Sequence, residues 1–196
     1  FERKAKKGRS HRCKIVVYDP AAEKVARVSG AMKLGHGNDI CYRDGILYVT
    51  HSDGKKVIHR VDAKTLKKKK GIKVKGYFNG IACYGSGFIL RVMGGREMVI
   101  TNKNYKITRR FKTDTNYTTS QGMTMRGGTI VRGYSKLQSG RNYIVEYSIK
   151  GHEKNRLKLK IEGELEGVFI LNGKLYVTTY LKRGGKWEAH IHEVGA

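Results

Sequence analysis

Proline is nearly missing from this chain, with one residue in 196 against 25 glycines. A chain so poor in proline leaves its turns to glycine and leaves its strands free of missing N–H donors. Cysteine is scarce as well. Cys13, Cys41 and Cys83 are too few for a disulfide scaffold, and an odd count leaves at least one thiol unpaired. Buried, inert thiols are the expectation. No apolar run approaches the ~18 residues of a membrane-spanning helix. Phosphate-binding loops, dinucleotide fingerprints and Gly-x-Ser-x-Gly elbows are missing too. The sequence begins at Phe1 rather than methionine and shows no signal peptide, so a processed or truncated N-terminus is expected.

Acidic residues are the last scarcity: 16 Asp and Glu stand against 41 Lys and Arg, a formal charge of +25. That excess repels itself unless it is spread over a large surface or met by something negative.

What is abundant is glycine and tyrosine, arranged in a repeat. Asn38-Asp39-Ile40-Cys41-Tyr42, Asn79-Gly80-Ile81-Ala82-Cys83, Gln121-Gly122-Met123-Thr124-Met125 and Glu166-Gly167-Val168-Phe169-Ile170 line up, with leading residues 41, 42 and 45 positions apart. Each is followed by a glycine turn (Asp44-Gly45, Gly85-Ser86-Gly87, Gly127-Gly128, Asn172-Gly173) and a second apolar strand. Such turns supply the positive φ that tight hairpins demand. A third strand recurs over 57–62, 98–102, 143–148 and 189–194. A basic fourth strand recurs over 67–74, 107–112 and 157–161. Four short strands at this period predict an all-β fold, a β-propeller of about five four-stranded blades. Residues 14–19 and 25–29 read as third and fourth strands without the first two. The first blade is therefore expected to be incomplete, or shared between the termini. Residues 1–12 read as a basic N-terminal arm and 13–196 as a single propeller domain, expected to be monomeric.

The innermost strands of a propeller line its channel. The leading position of the repeat reads Asn38, Asn79, Gln121 and Glu166, a polar ring able to hold a ligand. Glu166 is its one acid and, if desolvated, would titrate near neutrality and shuttle a proton. Arg91 and Arg132, near the ends of second strands, are candidates to meet an anionic ligand at the channel mouth. His190 and His192 share a strand face, yet apart from Glu188 no Cys or carboxylate stands at helpful spacing, so no metal site and no cofactor is expected. His36 and His51 read as solvent-exposed.

Ser120-Gln121-Gly122-Met123, the strand at 143–148, Leu165-Glu166-Gly167-Val168 and Gly173-Lys174-Leu175-Tyr176 together resemble the plant- and bacterial-type glutaminyl cyclases over about residues 118–182. The resemblance implies a five-bladed propeller in which Glu166 passes a proton from the substrate amine to departing ammonia and Gln121 orients the substrate. Two features differ from that family. Arg132-Gly133-Tyr134-Ser135 stands where an acidic residue usually follows, and Trp187 is the only tryptophan where the family has several.

The basic segments point elsewhere. Arg3, Lys4, Lys6, Lys7, Arg9, Arg12 and Lys14 crowd the arm, and Lys67-Lys68-Lys69-Lys70 lies between a third and a fourth strand, on the outer rim. Of the 41 basic residues 26 are lysine. Lysine suits diffuse attraction to an anionic chain better than bidentate base reading. The leading expectation is a non-enzymatic binding module for a wall polymer or acidic glycan, secreted or at a bacterial surface. A glutaminyl-peptide cyclotransferase-like enzyme and a nucleic-acid-associated propeller are the alternatives.

Overall fold

The structure, a computed structural model, describes residues 2–3, 11–115, 119–136 and 141–195. Most of the basic arm expected over 1–12 therefore lies outside the described residues. Of it, the strand β1 (Glu2–Arg3) pairs antiparallel with β2 (Arg12–Cys13).

The described residues contain strands and no helix, and four meandering sheets form a propeller arrangement. Blade one is β5 (Gly37–Arg43), β6 (Ile46–His51), β7 (Val57–Asp62) and β8 (Lys68–Lys73), with β3 (Val16–Asp19) and β4 (Lys24–Val28) preceding it as a separate hairpin. Blade two is β9 (Phe78–Tyr84), β10 (Gly87–Val92), β11 (Glu97–Thr101) and β12 (Ile107–Lys112). Blade three is β13 (Thr119–Arg126), β14 (Thr129–Lys136), β15 (Arg141–Tyr147) and β16 (Glu153–Leu159). Blade four has only β17 (Glu164–Leu171), β18 (Lys174–Arg183) and β19 (Lys186–Val194).

The hairpins form where turn chemistry dictates. Asp44-Gly45, Gly127-Gly128 and Asn172-Gly173 each place two successive residues at positive φ, which matches the right-handed twist of the flanking strands. Alternation along each strand then gives every sheet two apolar faces, which stack blade on blade. Ile58 of blade one meets Ile81, Leu90 and Val99 of blade two. Ile89 and Met98 of blade two meet Met123, Ile130 and Val145 of blade three. Val131 and Ile144 of blade three meet Leu165, Leu175 and Val177 of blade four. Each such side chain, fully buried, stabilises the fold by about 1.5–3 kcal/mol.

The count of five blades is not met among the described residues, which make four. The segments expected as an incomplete first blade are the β3–β4 hairpin, bonded along neither edge to another named strand. It leans on blade one through Arg27, whose guanidinium donates to the carbonyls of Lys64 and Ala63. Nor do the termini share a sheet here, since β19 pairs only with β18. The repeat signal counted inner strands, and no inner strand accompanies β3 and β4. β8 falls within the fourth strand expected over 67–74, so Lys68–Lys70 are strand residues, whereas β16 starts at Glu153, ahead of the strand expected over 157–161.

Candidate functional site at the propeller axis

β5, β9, β13 and β17 are the innermost strands, and their leading halves converge. The convergence centres on Asp39, a residue that the ring of leading positions does not include. The Ile81 N–H of β9 donates to Asp39 Oδ2 at 2.8 Å, and the Met123 N–H of β13 donates to the same oxygen at 3.1 Å. The Ile40 N–H donates to Oδ1 at 3.0 Å. One carboxylate thus holds the inner strands of three blades. Burial raises its pKa to about 7, against the opposing pull of these N–H donors and of the Arg91 charge.

The inner strands β13 and β17 approach closely at this level. In register, Gly80, Gly122 and Gly167 take the place that Asp39 occupies in the first repeat. Gly122 sits at a register shift of β13 with φ of +43°, and a Cβ there would lie 2.9 Å from Gly167 Cα and from the Val168 nitrogen. Glycine is required at that spot on both counts.

Arg91 and Arg132 are buried rather than placed at a mouth. Arg91 donates to the Ser120 carbonyl at 3.2 Å; burial, and then the neighbouring Arg132 charge, lower its pKa to about 10. Arg132, fully buried, donates to Ser120 Oγ at 3.0 Å and Thr113 Oγ1 at 3.3 Å, and its guanidinium lies 4.9 Å from the Tyr134 ring centre. These contacts tie blades two and three together, while Arg132 Nε is buried with no hydrogen-bond partner among the described residues.

The ring residues separate. Asn38 and Asn79 are half-buried, each with a buried side-chain oxygen that lacks a hydrogen-bond donor. Gln121 Nε2 donates to Glu164 Oε1 at 2.8 Å, and Glu166 is exposed. Asn38, Gln121 and Glu166 line a cavity of about 730 Å³, together with Asp39, Glu164, Lys14, His36 and Thr178. The cavity lies between the first inner strand, β5, and the last, β17, with residues 13–16 along its side. Its walls therefore carry three carboxylates in a chain otherwise short of them.

His36 is exposed as expected, but His51 is buried, and burial lowers its pKa. His192 bonds Thr179 Oγ1 at 3.0 Å and His190 bonds Glu188 at 3.2 Å. Among the described residues no three His, Cys, Asp or Glu side chains are grouped to hold a metal ion.

The outer edge has the opposite character. The outermost strands β8, β12 and β16 carry ten lysines and arginines and a single acid, Glu153. All ten are exposed, as are Lys67, Lys24 and Arg27. Lys68 Nζ reaches the Lys33 carbonyl, and Lys69 pairs with Asp62 at 3.2 Å.

No family model matches the chain, and neither does any curated protein. Solved structures do resemble it. A glutaminyl cyclase from Myxococcus xanthus superposes with a TM-score of 0.64 at 10% identity, over 88% of this chain and 79% of that one. Hydrazine synthase from Kuenenia stuttgartiensis superposes with a TM-score of 0.52 at 15% identity, over 93% of this chain and 57% of that one. At such identities the likeness is one of fold, a glutaminyl cyclase-like propeller.

Proposed function

We propose that this protein is a non-enzymatic propeller module that docks an anionic polymer, a wall polymer or an acidic glycan, along its basic rim. The observation that carries this reading is the ten-to-one excess of basic over acidic side chains on β8, β12 and β16. Lysines on edge strands also prevent edge-to-edge pairing, but one or two per strand meet that need. Spread around the outside of three blades, the charges offer a phosphate- or sulfate-bearing chain repeated, undemanding contacts. Lys67, exposed beside β8, extends the same surface.

Titrating the full chain with a teichoic-acid-type polymer, a sulfated glycan and single-stranded DNA, each across a salt series, tests the reading. Affinity for the wall polymer or the glycan should exceed that for DNA and fall steeply with salt, because bound lysines displace the polymer's counterions. High affinity retained in concentrated salt would overturn it.

A second reading is a glutaminyl-peptide cyclotransferase-like aminoacyltransferase. It is favoured by the acid-walled cavity, where Gln121, Glu164 and Glu166 meet, and by the fold's likeness to a glutaminyl cyclase. In that reading Glu166 is the acid and base, and Gln121 orients the substrate.

A further inference from the structure

Cys41 of β5 and Cys83 of β9 stand side by side across the seam between blades one and two, with their sulfurs 3.3 Å apart. Both are half-buried, so a small reagent reaches them. Cys83 also lies within 3.3 Å of the Tyr42 carbonyl. Arg43, on the same strand as Cys41, stacks over Phe88 at 4.7 Å and donates to the Gly85 carbonyl at 3.0 Å, which fixes a positive charge beside the pair. The expectation of buried thiols does not hold for these two.

We propose that Cys41 and Cys83 are a redox-active dithiol that low-molecular-weight disulfides convert to a reversible intramolecular disulfide, stapling blade one to blade two. The sulfurs need to close by little more than an ångström to reach bonding distance of about 2.05 Å. Cys83 is the attacking thiol: the hydrogen bond from Cys41 and the Arg43 charge lower its pKa to about 7, while Cys41 is raised. The Cys83 thiolate attacks one sulfur of the small disulfide, forming a mixed disulfide and releasing one small thiolate. The Cys41 thiol then gives its proton to that thiolate, and its sulfur attacks Cys83 Sγ. The protein disulfide forms, and the second small thiolate leaves to take up a proton from water. Two protein thiols are oxidised and one small disulfide is reduced to two thiols.

The test is intact-mass measurement of the reduced full chain after treatment with oxidised glutathione. The expected product lacks two hydrogens and regains them with dithiothreitol. Trypsin should release peptide 34–43 linked to peptide 76–91, the two that hold Cys41 and Cys83. Cys41→Ser should stop at a glutathione adduct on Cys83, Cys83→Ser should give no product lacking two hydrogens, and Cys13→Ser should behave as wild type. The proposal is overturned if wild type ends as a stable glutathione adduct, links Cys13 or a second chain, or does not react. The wild-type mass and its tryptic peptides together decide, so a variant that fails to fold does not blunt the test.

Discussion

Replacing Asp39 by asparagine should remove a pH dependence that one carboxyl group imposes on the whole fold. In the folded chain Asp39 titrates near 7, against an ordinary aspartate value of 3.8. Below 3.8 it is protonated whether the chain is folded or not, and it contributes no slope. Between 3.8 and 7 the unfolded chain gives up the proton while the folded one keeps it, so stability falls as pH rises. Above 7 both forms are ionised and the loss is complete. A gap of about three units at about 1.4 kcal/mol per unit sets a loss of about 4 kcal/mol. Water entering from the adjoining cavity screens part of it, which leaves about 2–4 kcal/mol. Asparagine has no proton to lose. Its oxygen can still accept from Ile81 and Met123, so only the bond from Ile40 is forfeited, about 1 kcal/mol. The assay is urea unfolding of wild type and Asp39→Asn at about pH 4.5 and about pH 8. The stability of wild type relative to the variant should drop by about 2–4 kcal/mol between the two pH values. His51 and His59 push the other way, because their lowered pKa values make stability rise with pH, but they are present in both proteins and cancel. A difference that stays constant with pH would refute the reasoning.

Three further outcomes follow. Gly122→Ala should destabilise by about 2 kcal/mol or more in the same urea assay, since it combines a positive φ with a 2.9 Å approach to Gly167 backbone. Replacing Lys67, Lys68, Lys69 and Lys70 together by glutamine should weaken binding to every anionic polymer alike. It should also flatten the dependence of log affinity on log salt by roughly 3 to 4, near one unit per lost contact. If the enzyme reading holds, wild type releases ammonia from peptides with N-terminal glutamine and Glu166→Gln slows this by ~10²–10⁴-fold. Wild type that releases none removes that reading.

The repeat was legible because hairpin turns have a strict chemistry. Asp44-Gly45 and Asn172-Gly173 announce positive φ in the sequence, and both turns take it. The axis was less legible, although a signal was present. Aligning the repeats places Asp39, Gly80, Gly122 and Gly167 in one column, and three glycines with one acid describe a crowded point filled by a single side chain. The polar position beside it, Asn38, Asn79, Gln121 and Glu166, carries the more conspicuous pattern in the sequence. The burial of Arg91 and Arg132 could not be read from strand position, because the Ser120 and Thr113 groups they bond come from another strand or a loop. Cys41 and Cys83 meet only through the offset between neighbouring blades, which no single repeat encodes.

Ten bases on the outer strands and three carboxylates at the cavity would, on the proposed reading, sort ligands by both size and sign. Screening confines each region's influence to about 8 Å at physiological salt, so rim and axis act as separate environments. On the proposed reading a long polyanion would be held at the circumference, away from the carboxylates at the cavity. Several copies collected on one strand would hold one another at a distance through their net charge of +25, strung like spaced beads rather than gathered into a clump.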